Sequence, residues 1–321
     1  MILVPLLALN FGRKNSPGKS SSSDNHVETL KASNEKFFRV LDESNNEISE
    51  ISDRDFVYGV VASEMPAKFE AEALKAQAVA SYTYFCRARN LSRNKNNKEE
   101  KYDFTINSQK ALGYVSKDGM KEKWKSHFDE YYEKIKNAVD DVYGEVIENE
   151  GDLILAAYHA ISSGKTEKSA DVFGGDVTYL TNVESPGDKF ASGYETTVKI
   201  EKEKFKEILS SKIPDLEFKG SPENWIGNST RSAGGMVKEI EICSNNIKGT
   251  EIRKMFALRS SDFEIRFDNN EDKFVFTVWG YGHGVGMSQC GAQYMALEGK
   301  NYKEILSWYY PGTSVVPISN L

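Results

Sequence analysis

Cysteine is scarce in this 321-residue chain: only Cys86, Cys243 and Cys290 occur, and no two form a C-x-x-C pair. Three scattered cysteines argue against a disulfide framework and against a structural zinc cluster. Cys86, in an apolar helical stretch, reads as a small core residue. An excess of positive charge is also missing. Lys plus Arg total 41 against 48 Asp plus Glu, a formal net charge of −7. Binding a nucleic-acid backbone needs a basic stripe, and there is none. Arg89, Arg93, Lys95 and Lys98 run straight into Glu99 and Glu100 and read as a solvated loop. No internal repeat is visible. The apolar start, MILVPLLALNFG, is shorter than the roughly 20 residues that span a bilayer and has no basic n-region. The G-x-G-x-x-G, P-loop, G-x-S-x-G and H-E-x-x-H patterns are all missing, which removes the simplest dinucleotide, nucleotide, serine-hydrolase and zinc-protease readings.

An apolar share of 39% is ample for a core. The greasy start reads as the trimmed end of a signal or anchor segment, and RKNSPGKSSSSDN behind it as a flexible tether. Residues 1–34 are therefore expected to be an anchor remnant and linker, with a large domain at 35–321. Periodicity predicts a strand and turn over 37–47 and a short helix over 53–63 with Phe56, Val60 and Val57 inward. Longer helices are predicted over 70–90 and 121–142, the second with Trp124, Phe128, Tyr132, Ile135 and Val139 on one face. EVIENEGDLILAAYH reads as a hairpin turning at Gly151. YETTVKI, VKEIEI, FEIRF and KFVFTVWG alternate as strands. EKFKEIL and the segments 288–298 and 302–309 read as helices. Helices and strands mix without a βαβ rhythm, so the fold class is α+β, with antiparallel-rich sheets.

Three stretches carry candidate chemistry. Glu64 is the only carboxylate between Val57 and Phe69. A carboxyl group in an apolar setting resists ionisation, which suits a general acid. Taken alone, it also fits a surface glutamate near a helix start. Lys75 and Gln77 follow on the next helix, Lys75 one position from the buried face, where it is either an ordinary solvated lysine or a partner for a carboxylate or a sugar oxygen. His159 ends LILAAYH and opens the Ser- and Gly-rich loop SSGKTEKSADVFGGD, a position that fits a site rim or a core histidine equally. His26 and His127 read as solvated. In WGYGHGVGMSQCGA, glycines alternate around His283, which lets a backbone approach a ligand closely. Ser288 is placed to cap a helix, and Gln289 to donate to a ligand. His159 and His283 are too few for a closed metal site.

VYGVVASEMPAKFEAEALKAQAVA, YHAISSGKTE, VFGGDVTYLTNVESP, ALRSSDFEI and WGYGHGVGMSQCGAQYMALEGKNYKEILSWYYPGT together resemble the stage II sporulation protein D family and its amidase-enhancer relatives. The resemblance covers residues 35–317 and makes 35–321 a catalytic domain. It implies an exported lytic transglycosylase of endospore formers, tethered to the mother-cell membrane, facing the intermembrane space and cutting peptidoglycan during forespore engulfment. The implied substrate is glycan stripped of its stem peptides, and the implied partners are stage II sporulation proteins P and M. The family's catalytic glutamate falls on Glu64. Other cleft positions fall on Lys75, Gln77, His159, Tyr179, His283, Ser288 and Gln289. No cofactor is implied. Some members carry zinc ligands after the first long helix. Here that segment reads DFTINSQ (103–109), so no metal is expected. Three further departures stand out. Tyr82 replaces a usual arginine, and Phe173 and Gly187 replace usual tryptophans, which weakens the case for sugar stacking at those positions.

The implied chemistry needs one carboxyl group where ordinary glycosidases need two. A rival reading from another class is a non-catalytic module that binds glycan and stimulates an amidase. A metal hydrolase built on His159 and His283 is a third.

Overall fold

The structure, a computed structural model, describes residues 36–94, 101–107, 113–213 and 216–321. The expected anchor and linker at 1–34 lie outside these, as do Lys95, Lys98 and the end of DFTINSQ. Helices and mostly antiparallel sheets mix as expected for α+β. The chain divides into two compact units: residues up to Ala157 with Asn301–Ser307 and Gly312–Leu321, and Tyr158–Lys300 with Trp308–Pro311.

In the first unit, β1 (Phe37–Asp42) pairs antiparallel with β2 (Glu47–Ser52), and Ser52 caps α1 (Asp53–Glu64) by accepting from Asp55 N. β2, EISEIS, is nearly all exposed, so its sequence carries little hydrophobic signal. After Pro66, α2 (Ala71–Asn94) runs four residues past the predicted end. β3 (Phe104–Ile106) joins β1 in parallel. Phe38, Phe56, Phe85 and Phe104 meet edge-on or tilted, with centroids 4.7 to 6.4 Å apart, and form the aromatic heart of this unit. The single helix predicted over 121–142 is two: α3 (Lys117–Trp124) and α4 (Phe128–Asp140), joined by a short 3-10 turn. Lys125 sits between them at φ 50°, ψ −119°, which no α-helix accommodates. The predicted apolar face still holds, with Ile135 and Val139 buried and Phe128 stacked on Tyr132 at 5.3 Å. β4 (Glu145–Asn149) and β5 (Asp152–Leu153) form the hairpin turning at Gly151, and Ser314–Pro317 pairs with the outer side of β4.

The hairpin pattern in the sequence runs on to His159, but β5 ends at Leu153. Tyr158–His159 instead opens the second unit as β6. There follow α5 (Ser169–Val172), β7 (Glu195–Glu201), α6 (Lys202–Ser210), β8 (Ile226–Arg231), β9 (Val237–Ile242), β10 (Asn245–Lys248) and α7 (Gly249–Met255). β11 (Asp262–Asp268), β12 (Lys273–Trp279), β13 (Met287–Ser288) and α8 (Gln289–Leu297) complete it. β11, β12 and β7 form one antiparallel sheet, and β10, β9 and β8 another. Phe205, Phe274, Phe276, Phe256 and Trp225 fill the core with Ile240, Ile242 and Ile252. The glycine-rich segment after β12 crosses to β13, which pairs in parallel with β6 and brings Ser288 opposite His159.

Candidate functional site

Three of the eight residues expected at the site lie in the first unit. Glu64 is the last residue of α1 and is 3% exposed. Its neighbours Val60, Val61, Ala62 and Met65 are buried. The C-terminal end of a helix carries partial negative charge, so a carboxylate there gains nothing from the helix dipole. A compensating cation comes from Lys123 on α3, whose ammonium donates to the Ala62 carbonyl at 2.7 Å and is attracted by Glu64. Burial holds the Lys123 pKa below the ordinary lysine value in spite of that attraction. Lys123 escaped the sequence reading because nothing in KEKW distinguishes it. Gln77 is buried and donates to Ser81 Oγ at 2.9 Å. Lys75 bridges Glu72 and Asp141, each at 3.0 Å. Partial burial works against its charge, but the two carboxylates outweigh it and raise its pKa. Tyr82, in place of the usual arginine, is not idle. Its hydroxyl and that of Tyr143 donate to the two oxygens of the buried Asp53 at 2.9 and 2.5 Å.

The other five residues lie in the second unit. His159 is fully buried, its Nδ1 donating to the Val285 carbonyl at 3.2 Å. Its Nε2 is buried without a hydrogen-bond partner. Val285 N in turn donates to His283 Nδ1 at 3.1 Å, and the two imidazole centroids are 5.7 Å apart. Burial lowers the His159 pKa to about 4, and burial with the neighbouring His159 and Arg253 drives that of His283 well below 6.5. Both rings are therefore neutral near pH 7. His283 is partly exposed, with the Phe173 ring edge-on to it at 5.2 Å. Tyr179 is half-buried near Tyr310, which is buried.

Ser288 and Gln289 are buried at the mouth of α8. Ser288 is the N-cap, as its position before the helix foretold, accepting from Gly291 N at 3.2 Å. It donates to Asp188 Oδ1 at 2.7 Å. Asp188 is the hub that sequence reasoning missed. It is fully buried and also accepts from the backbone N–H and the hydroxyl of Ser162. Ser185, two residues before the missed aspartate's glycine neighbour, shares a 2.6 Å hydrogen bond with Tyr309. Burial raises the Asp188 pKa to about 6 despite these donors. One carboxyl group thus ties the loop after β6, the turn at 186–190 and the start of α8 together.

Glycines here serve the protein's own packing. Gly282 lies at φ 122°, and a Cβ on it would come 2.8 Å from His159 Cβ. Gly187, where a tryptophan was the expected pattern, is buried, and any side chain there would overlap the Tyr294 ring. Among the described residues, no group of three or more His, Cys, Asp or Glu side chains is arranged to hold a metal ion.

Fold and site together define an α+β protein with a buried helix-end carboxyl group in one unit and a neutral imidazole pair and a serine–aspartate hub in the other. A family model described as stage II sporulation protein matches residues 42–148. The chain is 34% identical to stage II sporulation protein D of Bacillus subtilis (strain 168), over 98% of this chain and 92% of that one. It is equally identical, 34%, to stage II sporulation protein D of Bacillus amyloliquefaciens, over 85% of this chain and 76% of that one. An amidase enhancer of Bacillus subtilis (strain 168) is 26% identical over 80% of this chain and 40% of its own length. The chain belongs to the stage II sporulation protein D family. That membership supports a role in sporulation, related to the cell wall.

Proposed function

We propose that this protein is a peptidoglycan lytic transglycosylase that cuts denuded glycan strands during forespore engulfment, with Glu64 as its single acid and base. The observation that carries the reading is the burial of Glu64 among apolar side chains at the end of α1, with Lys123 as its cationic neighbour. The protonated carboxyl group donates to the glycosidic oxygen as the bond to the anomeric carbon breaks. The 6-hydroxyl of the same muramic acid residue bonds to that carbon, and its proton passes to the Glu64 carboxylate. A 1,6-anhydro end forms, no water is consumed, and Glu64 returns to its starting state. One positioned group thus works in both directions. Lys123 stabilises the carboxylate between the two transfers. The resemblance to the family supports a mother-cell membrane tether and stage II sporulation proteins P and M as partners.

A second reading has its own support. The similarity to a relative named an amidase enhancer favours a module that binds glycan without cutting, with the amidase doing the chemistry. Glu64→Gln separates the two. The proposal expects a folded variant that binds denuded glycan normally and cuts it about 10²- to 10⁴-fold more slowly. Near-normal cutting by the variant removes Glu64 from the mechanism, and no cutting by the unaltered protein favours the enhancer reading.

A further inference from the structure

Two arginines in the second unit have no carboxylate partner. Arg253, on α7, makes one side-chain hydrogen bond, from Nε to the Leu258 carbonyl at 3.3 Å. Arg259, in the link to β11, makes none, and its Nε is buried without an acceptor. Its guanidinium carbon lies over the Tyr281 ring, 4.0 Å from the centroid. Gly193 makes room for it, since a Cβ there would come 2.6 Å from Arg259 Nη1. Gly282 N donates to the Arg259 carbonyl at 3.0 Å, so the arginine's backbone is fastened to the glycine loop beside His283.

Both guanidinium groups belong to one neighbourhood. Arg253 acts electrostatically on Tyr281, His159 and His283, and burial lowers its own pKa. No carboxylate appears among the influences on Arg253, and neither arginine forms a salt bridge among the described residues. Elsewhere in this unit arginines are paired: Arg231 binds Asp262 at 2.6 Å and Arg266 binds Asp268 at 3.3 Å. A guanidinium is a fork of N–H donors with no acceptor, and its planar geometry matches a carboxylate or phosphate. Two such forks, partly buried and with no ion pair among the described residues, lie beside two neutral imidazoles and have donors to spare. Arg253, Arg259, Tyr281, His283 and Phe173 are all partly exposed, so the site is open to solvent.

We infer that Arg253 and Arg259 bind the carboxylate of a sugar acid, namely the lactyl carboxylate of a muramic acid residue that has lost its stem peptide. The inference rests on the glycan reading above and gives it a basis for selectivity. In peptide-bearing glycan that carboxyl group is an amide and carries no charge. In denuded glycan it is a free anion, and every muramic acid presents one. Phe173, partly exposed against His283, adds an aromatic surface near the glycine loop that suits a pyranose ring better than a bare phosphate.

The test compares denuded glycan with the same glycan after its lactyl carboxylates have been amidated, measuring affinity by isothermal titration. The intact protein is expected to prefer the free acid by about tenfold or more, the loss anticipated when a charged hydrogen bond goes unmade. Arg253→Gln and Arg259→Gln should each shrink that preference towards unity while leaving affinity for the amidated glycan in place. N-Acetylmuramic acid should raise the melting temperature of the intact protein and not of either variant, a readout that does not depend on cutting. Equal affinity for both glycans, a preference retained in the variants, or equal stabilisation by inorganic phosphate overturns the inference. Cutting activity is scored separately, so a protein that discriminates without cutting keeps the anion site and loses the transglycosylase reading.

Discussion

At Asp188 a carboxyl group is buried among serine hydroxyls, and burial wins: its pKa is pushed up to about 6. Between the ordinary aspartate value and about pH 6, the native protein holds a proton there that the unfolded chain has released. Stability therefore falls as pH rises through that window. The size of the effect is on the order of 3 kcal/mol. Asp188→Asn should flatten this part of the curve, which denaturant melts between about pH 4 and 7 will show. An unchanged difference between the two proteins across the window counts against the assignment. The imidazoles behave in the opposite way. Burial lowers the His159 pKa to about 4 and holds that of His283 well below the ordinary imidazole value, so both rings are neutral near pH 7. Glycan affinity should show no histidine titration between about pH 6.5 and 7.5. On the proposed function, His283→Ala should weaken binding and slow cutting together, because the partly exposed ring stands beside Phe173 and takes no part in proton transfer. Turnover abolished at unchanged affinity would make His283 a proton-transfer group. The burial of Glu64 was legible in the sequence because its apolar neighbours are its neighbours along the chain. Lys123 and Asp188 were not, because their partners lie far away in sequence and no local pattern marks them.

Elements were readable wherever one face is buried and the backbone is regular. α2 and the β7, β9, β11 and β12 strands follow their periodicity, and Ser288 announced the start of α8. The misses have physical causes. β2 and β8 are mostly exposed, so no hydrophobic alternation marks them. The break between α3 and α4 comes from Lys125, whose φ of 50° and ψ of −119° suit glycine alone. Lys125→Gly should therefore stabilise the first unit by roughly 1 kcal/mol, measured by urea denaturation. A loss of stability would mean that the lysine side chain does more than tolerate the turn. Ser288→Ala removes both the α8 cap and a donor to buried Asp188. It should cost about 1–2 kcal/mol in the same measurement. A neutral result would show that the hub does not depend on this hydroxyl.

At the scale of the molecule, α+β was evident from the mixture of patterns. The division near Ala157 was not, because the apolar run LILAAYH passes through it without a linker. No helix among the described residues is long and apolar enough to cross a membrane. The single-carboxyl mechanism uses no metal, so cutting should survive exhaustive chelation with EDTA. Activity lost on chelation and restored by zinc would contradict it. The central claim is that this protein breaks glycan by intramolecular transfer rather than merely holding it. Mass spectrometry of peptide-free glycan after incubation with the purified protein tests that most directly. Shortened strands ending in 1,6-anhydro-N-acetylmuramic acid, with no new reducing ends, are expected; intact strands, or fragments ending in ordinary reducing muramic acid, would contradict intramolecular transfer.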